Sequence, residues 1–330
     1  MTVTVIGAGV AGLCVATELV RRATSVQILD QVVEPGPHAC SWWAGGMLAP
    51  FCEGESAEEP VVRLGQSAAD WWEGQGVTVQ RHGSLVMAMG RDRKELDRFA
   101  RRTQGAQAIG VDRIAELEPD LADRAPRALF FADEAHLDPR LALAALQERL
   151  AAQGVAVQQA DPPATGPVID CRGLSARDAL TDLRGVKGEM LILRCPDVRL
   201  NRPVRLLHPR IPLYIVPRGE GIFMLGATVI EATERSRITA RSMLEMLSAA
   251  YALHPAFGEA EILEIGTDAR PAFPDNLPRI RRRGRVTYAN GLFRHGFLLA
   301  PALAMQVADL VLDNKRPEFC DEDHPERGAA

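Results

Sequence analysis

The stretch TVTVIGAGVAGL, Thr2–Leu13, decides the fold. Thr2 to Ile6 is a β-branched, apolar run that reads as a short buried strand, and Leu13 to Arg22 carries apolar residues at helical spacing. SVQILD then reads as a second strand that ends at Asp30. Strand, glycine turn, helix and strand within residues 2–30 make a βαβ unit. Gly7, Gly9 and Gly12 fit the spacing G-x-G-x-x-G. The first glycine permits the tight turn, the second lets backbone approach a pyrophosphate at the helix N-terminus, and the third lets helix pack closely on strand. Asp30 stands where a carboxylate accepts hydrogen bonds from ribose hydroxyls, and it would repel a 2′-phosphate. The motif points to a dinucleotide other than NADP and leaves FAD and NAD open.

Further along lie two other glycine-bearing bends. SWWAGGMLAP, Ser41–Pro50, places adjacent glycines where a side chain would obstruct something that approaches the main chain. NGLFRHGFLLAP, Asn290–Pro301, holds Gly296 just before a helix N-terminus near Leu298 to Ala300, a second place for an anion or a carbonyl oxygen. Three remote bends of bare backbone suit a flavin, whose flat ring has polar edges that backbone N–H groups must reach while one face stays open. Trp42 and Trp43 read as core or inter-domain packing rather than as stackers on the ligand.

The rest of the chain bounds the answer. Its 330 residues are 47% hydrophobic and 25% charged, with a net charge of −5, which suits a globular protein of two domains and gives no basic face for nucleic acid. The run Arg279 to Arg285 is short and reads as a solvated turn. Six cysteines form no CxxC pair, so free thiols in a reducing cytoplasm are expected. Seven histidines show neither HxxxH nor HExxH spacing, so no metal is expected. The apolar N-terminal twenty residues lack a basic leader and are interrupted by glycines and Glu18, so no membrane attachment is expected.

Helix and strand units at both ends, with strand-rich segments between, predict an α/β protein with interleaved domains. The first is a Rossmann-like, mostly parallel doubly wound sheet from residues 1–75, 136–185 and 265–330. The second is a mixed or antiparallel sheet from 76–135 and 186–264. Within this frame residues 61–75 read as helical, VTVQ at 77–80 as a strand and Leu298 to Asp313 as a helix.

Several pieces, in order, resemble the family of FAD-dependent amino-acid oxidases that includes D-amino-acid oxidase, sarcosine oxidase and glycine oxidase. They are VIGAGVAGL, WWAGGMLAP at 42–50, YIVPR at 214–218, GATV at 226–229, ARPAFPDNLPRI at 269–280 and FRHGFLLAP at 293–301. Within that family the chain is most similar to glycine oxidase of the thiamine-biosynthesis type. The resemblance implies non-covalent FAD held by Gly7, Gly9, Val10, Ala11, Gly12 and Asp30, by Ala44, Gly45, Gly46 and Met47, by Gly173, and by Arg294, His295, Gly296, Phe297 and Leu298. It implies that Arg270 and Tyr214 bind the substrate carboxylate and that Arg294 assists near the flavin. A guanidinium offers two parallel hydrogen bonds to a carboxylate, which is the chemical reason for an arginine there.

The implied reaction is oxidation of glycine or another small amino acid, with hydride passing from Cα to flavin N5, reoxidation by O2 to H2O2, and a role in thiazole formation for thiamine. A dehydrogenase of the same fold with a different electron acceptor and a non-catalytic flavin-binding module are the alternatives. The oligomeric state stays open. Two departures stand out. VIDCRGLSAR, Val168–Arg177, replaces the family's small-residue run and puts the bulky Arg172 beside Gly173, and the segment between Val155 and Val168 is short.

Overall fold

A computed structural model describes residues 2–160, 162, 165–207 and 213–321. Two sheets dominate it. The first has six strands in the spatial order Arg279–Arg283, Val286–Asn290, Val168–Asp170, Thr2–Ile6, Ser25–Leu29 and Val157–Gln158. All its pairings are parallel except that between Arg279–Arg283 and Val286–Asn290. Ile6 is level with Leu29 on one side and Asp170 on the other, and Asp170 is level with Tyr288. The chain therefore leaves three neighbouring strands at one edge, at Gly7, Cys171 and Gly291, where a doubly wound sheet opens its crevice.

The second sheet has nine strands. Its path runs Ile230–Glu231, Arg184–Arg194, Ile222–Gly226, Leu213–Gly219, Val204–Leu207, Ser84–Ala88, Arg127–Phe131 and Gln107–Gly110, and Glu261–Ala272 also pairs with Arg184–Arg194. Only the contact between Val204–Leu207 and Ser84–Ala88 is parallel. Glu261–Ala272 belongs to this sheet over its whole length, so the expected return to the first unit at 265 falls inside a strand. Each sheet has its own apolar core: Val3, Val5, Leu13, Ile28, Trp72 and Leu303 in the first, Leu85, Leu191, Ile215, Phe223 and Met246 in the second.

Helix Val10–Arg21 starts at the glycine turn and packs in the first core beside Gly296–Asp313. The latter is the one helix among the described residues that is long and apolar enough to cross a membrane, and 61% of it is buried within the fold. Pro301 interrupts its hydrogen-bond ladder, because proline has no N–H to offer the carbonyl four residues back. That carbonyl belongs to Phe297, and it accepts a hydrogen bond of 2.9 Å from the fully buried Trp72 indole N–H.

Residues 61–75 are helical in two pieces, Glu59–Gly65 and Ala68–Gly74, and Gly65 packs against Leu298 with no room for a Cβ. Elsewhere local expectations differ from the structure. The 77–80 run makes only an isolated bridge from Gln80 to His136. Most of the arginine run is a strand, Arg279–Arg283, and only its end at 284–285 is a turn: Arg279 and Arg281 pair with Asp321, Arg281 also with Asp182, and Arg282, Arg283 and Arg285 are exposed. Alternation along a strand sends successive side chains to opposite faces, so acidic partners on one face suffice. Asp161, Pro163 and Ala164, in the short 155–168 segment, lie outside the described residues.

Candidate active site

At the crevice edge of the first sheet lies a cleft with a cavity volume of about 380 Å³, within the range of small-molecule sites. Gly7, Gly9, Val10 and Ala11 line it, as do Asp30, Ala44, Gly45, Gly173, Arg294, Gly296 and Phe297. The three glycine bends thus share one cleft, and Tyr214 and Arg270 of the second sheet close it from the other side.

The geometry of the first bend follows from excluded volume. Gly7 has φ +98°, and a Cβ on it would lie 2.6 Å from the Cys171 carbonyl oxygen. A Cβ on Gly12 would lie 1.8 Å from the Gly7 carbonyl oxygen, so Gly12 serves helix-strand packing and is not part of the cleft wall. Asp30 accepts the Ala8 N–H at 2.6 Å, which fixes its carboxylate beside the turn. The Val10 N–H, at the start of the helix, donates to Ser41 Oγ at 3.1 Å and so ties the first bend to the second.

In the second bend, Gly45 lies against the Tyr214 ring, which a Cβ there would approach to 3.0 Å. Gly46, with φ +72°, packs on Leu137 and Pro139, and Met47 pairs in a short strand with His136. Neither lines the cleft. Trp43 does line it, while the Arg140 guanidinium sits 4.4 Å over the Trp42 ring and 5.5 Å over that of Trp43. Arg140 also binds Glu264 with two hydrogen bonds, so the tryptophan pair is clamped between the two sheets' elements.

The third bend, 291–296, rests on the strand that carries Arg270. The Phe293 N–H donates to the Pro271 carbonyl at 2.9 Å, and Asn290 donates its side-chain amide to the Gly173 carbonyl at 2.8 Å. Arg294 reaches the cleft edge, yet its guanidinium is held by Glu53 at 2.7 Å and by Ser56 Oγ at 2.8 Å. His295 is buried and shares Glu53 at 3.0 Å, and Leu298 points into the core. His295 and Leu298, expected beside the cofactor, are absent from the cleft lining, whereas Arg294, Gly296 and Phe297 belong to it. Arg205 is the remaining partner of Glu53. Burial alone would raise the Glu53 carboxyl, but Arg294, Arg205 and His295 outweigh it and hold it well below the usual carboxylate range.

Arg270 has a different setting. Its guanidinium crosses Gly188, where a Cβ would lie 2.1 Å from Nη2, and Nη1 donates to the Thr228 carbonyl at 3.3 Å. Among the described residues no carboxylate lies within ion-pair distance of it, so its remaining donors face the cleft unpaired with acid. Two residues back on the same strand face, Asp268 also lines the cleft and pairs with Arg235 at 2.7 Å. Burial raises the Asp268 carboxyl, and burial likewise pushes the neighbouring Cys40 thiol up to about 12. Asp268, Arg235 and Cys40 were not singled out from sequence. The period-two spacing from Arg270 could have flagged Asp268, whereas nothing local marks Arg235.

Arg172, the departure beside Gly173, is turned back on Asp170 and Asp178 at 2.7 and 3.0 Å. Its charge is neutralised within its own loop, and Gly173, with φ +58°, keeps its backbone at the cleft.

The donor set fits FAD. A helix N-terminus behind a glycine turn suits a pyrophosphate, Asp30 suits a ribose, and two further bare bends suit the edges of a planar ring. Comparisons with known proteins agree. Residues 2–310 match the DAO family model, described as FAD dependent oxidoreductase. The chain is 54% identical to the thiamine biosynthesis oxidoreductase ThiO of Rhizobium etli, over 96% of its own length and 99% of the relative's. It is 25% identical to the glycine oxidase of Bacillus licheniformis, over 94% of this chain and 92% of that one. The solved glycine oxidase of Geobacillus kaustophilus has the same fold, with a TM-score of 0.79 at 23% identity, covering 96% of this chain and 95% of that one. Sequence, fold and cleft converge on one conclusion: the chain belongs to the DAO family of FAD-dependent oxidoreductases.

Proposed function

We propose that this enzyme oxidises glycine or another small amino acid with non-covalently bound FAD and O2, in the cytoplasm, and supplies the product to thiazole formation in thiamine biosynthesis. The observation that carries this reading is Arg270, a guanidinium in the cleft that no acid among the described residues neutralises. A carboxylate is the complementary charge, and Tyr214 on the neighbouring wall has a hydroxyl to share with it. The names of the relatives, a thiamine biosynthesis oxidoreductase and a glycine oxidase, support the same substrate class.

In this reading Gly7, Gly9, Val10 and Ala11 hold the pyrophosphate, Asp30 the ribose, and Ala44, Gly45, Gly173, Gly296 and Phe297 the flavin. The chemistry the bound flavin supplies is acceptance of hydride at N5 and delivery of the electron pair to O2 as H2O2. Arg270 and Tyr214 orient the substrate by its carboxylate so that Cα faces the ring. The substrate reacts with its amine neutral, so the lone pair assists hydride departure and no side-chain base is called for. Trp43 and Met190, which also line the cleft, exclude bulk water. Arg294, held by Glu53, secures the 291–296 bend and does not bind substrate.

The test is a panel of glycine, sarcosine, D-alanine and D-proline scored for peroxide under air, on wild type and Arg270→Met. Peroxide is expected with a small amino acid, and Arg270→Met is expected to raise its KM by about a hundredfold with a smaller change in kcat. Turnover that needs a non-oxygen acceptor would move the enzyme to the dehydrogenases. An unchanged KM in the variant would remove Arg270 from the substrate site.

A further inference from the structure

Arg218 lies behind the second glycine bend, on the side away from the cleft. It sits in YIVPR, four residues after Tyr214, at the end of strand Leu213–Gly219. It lines a separate cavity with His136, Leu137 and Asp138, while Ala44 and Gly45 line the cofactor cleft. The bend is therefore a partition between two spaces. The Arg218 side chain is 9% exposed. Its guanidinium donates to three backbone carbonyls: Leu137 at 2.8 Å, Ala44 at 3.1 Å and Gly45 at 3.0 Å. Asp138, at 3.8 Å, is its nearest acid, and that carboxylate already caps a helix through the N–H groups of Arg140 and Leu141.

The orientation of a trans peptide does the rest. The N–H of each peptide points opposite to its C=O. With the Ala44 and Gly45 carbonyls both drawn back onto Arg218, the N–H groups of Gly45 and Gly46 are directed away from it; Gly45 lines the cleft, and the Gly46 N–H, although Gly46 itself does not, belongs to the peptide unit that starts at the Gly45 carbonyl. Among the described residues neither N–H donates within the protein. A buried or ligand-facing N–H without a partner is costly, so these two donors are reserved for an acceptor that arrives with the cofactor. The cation behind them strengthens both as donors, since it polarises the two peptides in the direction that leaves the N–H ends positive.

We propose that Arg218 is a positioning residue that presents the Gly45 and Gly46 N–H groups as a preset pair of donors to the polar edge of the flavin ring. It touches neither substrate nor cofactor and acts through the bend. This rests on the reading that Gly45 borders the flavin. Lysine in its place keeps the charge but, as a compact point donor, cannot span three carbonyls. Loss of the guanidinium frees the two peptides to rotate, so the ring edge meets donors that are no longer aimed.

The test uses full-length Arg218→Met, Arg218→Lys and, as a control at the far end of the cofactor, Asp30→Ala. Each is titrated with FAD by flavin fluorescence, and the visible absorption spectrum of the bound flavin is recorded. Arg218→Met is expected to weaken FAD binding about tenfold and to change the position and fine structure of the long-wavelength flavin band. Arg218→Lys is expected to fall between it and wild type. Asp30→Ala is expected to weaken binding without altering the band, because it lies by the ribose. The proposal is overturned if folded Arg218→Met binds FAD with wild-type affinity, or more weakly but with an unaltered band. Should that variant not fold, Arg218→Lys decides by the same criteria. If Asp30→Ala weakens FAD and the Arg218 variants do not, the site reading stands and this role fails. If none of them weakens it, both fall.

Discussion

At the residue scale, the cleft shows how much a missing side chain can do. Gly188 does not line the cleft, yet its lack of a Cβ gives the Arg270 guanidinium its place. Gly188→Ala is expected to push that guanidinium aside and raise KM for the amino-acid substrate roughly tenfold, with FAD affinity unchanged. Steady-state kinetics beside a fluorescence titration of FAD checks both halves. Loss of FAD binding would place the defect in folding instead. Glu53 makes the complementary point. In sequence it opens an acidic cluster, Glu53 to Glu59, whose composition does not name its partners. In the structure it is a buried anion shared by Arg205, Arg294 and His295, drawn from two segments distant in sequence. The Arg294 guanidinium, at the edge of the cleft, is thereby paired with a carboxylate that local sequence does not connect with it.

At the element scale, the last helix carries a defect that another element repairs. Pro301 leaves the Phe297 carbonyl without its helical donor, and the Trp72 indole supplies one while its ring stacks on Phe297 at 5.4 Å. Trp72→Phe keeps an aromatic ring but removes the donor, so the carbonyl is left buried and unpaired. The expected loss is about 1–3 kcal/mol of unfolding free energy, read by urea denaturation; a variant as stable as wild type would show that water reaches this carbonyl. Helix and strand identities were largely legible because apolar periodicity is a local property. The strand at Arg279–Arg283, whose Arg281 pairs with Asp182 and Asp321, was not. Its charge partners lie in parts of the chain remote in sequence.

At the scale of the whole molecule, His136 joins the two halves. It pairs with Met47 behind the cofactor cleft, lines the second cavity, and bridges to Gln80. Burial, with help from the charges of Arg218, His82 and Arg202, pulls its pKa down to about 3. An unfolded histidine titrates near about 6.5, so the folded state binds this proton less tightly. Its contribution to stability is fully present above about pH 6.5 and is lost as the pH falls toward 3, at about 1.4 kcal/mol per pH unit. Comparing urea unfolding near pH 7 and near pH 5, His136→Phe is expected to lose about 2 kcal/mol less than wild type. Equal losses would mean that His136 accepts a proton without cost in the native fold.

The glycine turn, its acid and the spacing of the apolar residues specify a dinucleotide-binding βαβ unit without further information, because strand, turn and helix are set by neighbours within a few residues. The same holds for the bareness of the bends at 45 and 296, which is written in their glycines. That these bends meet around one cleft, that Arg270 enters it without an acid while Arg294 is taken up by Glu53, and that Arg218 stands behind the bend, all follow from packing two sheets together. Charge partners and cavity walls are chosen by proximity in space, and proximity between residues hundreds of positions apart is a property of the folded chain.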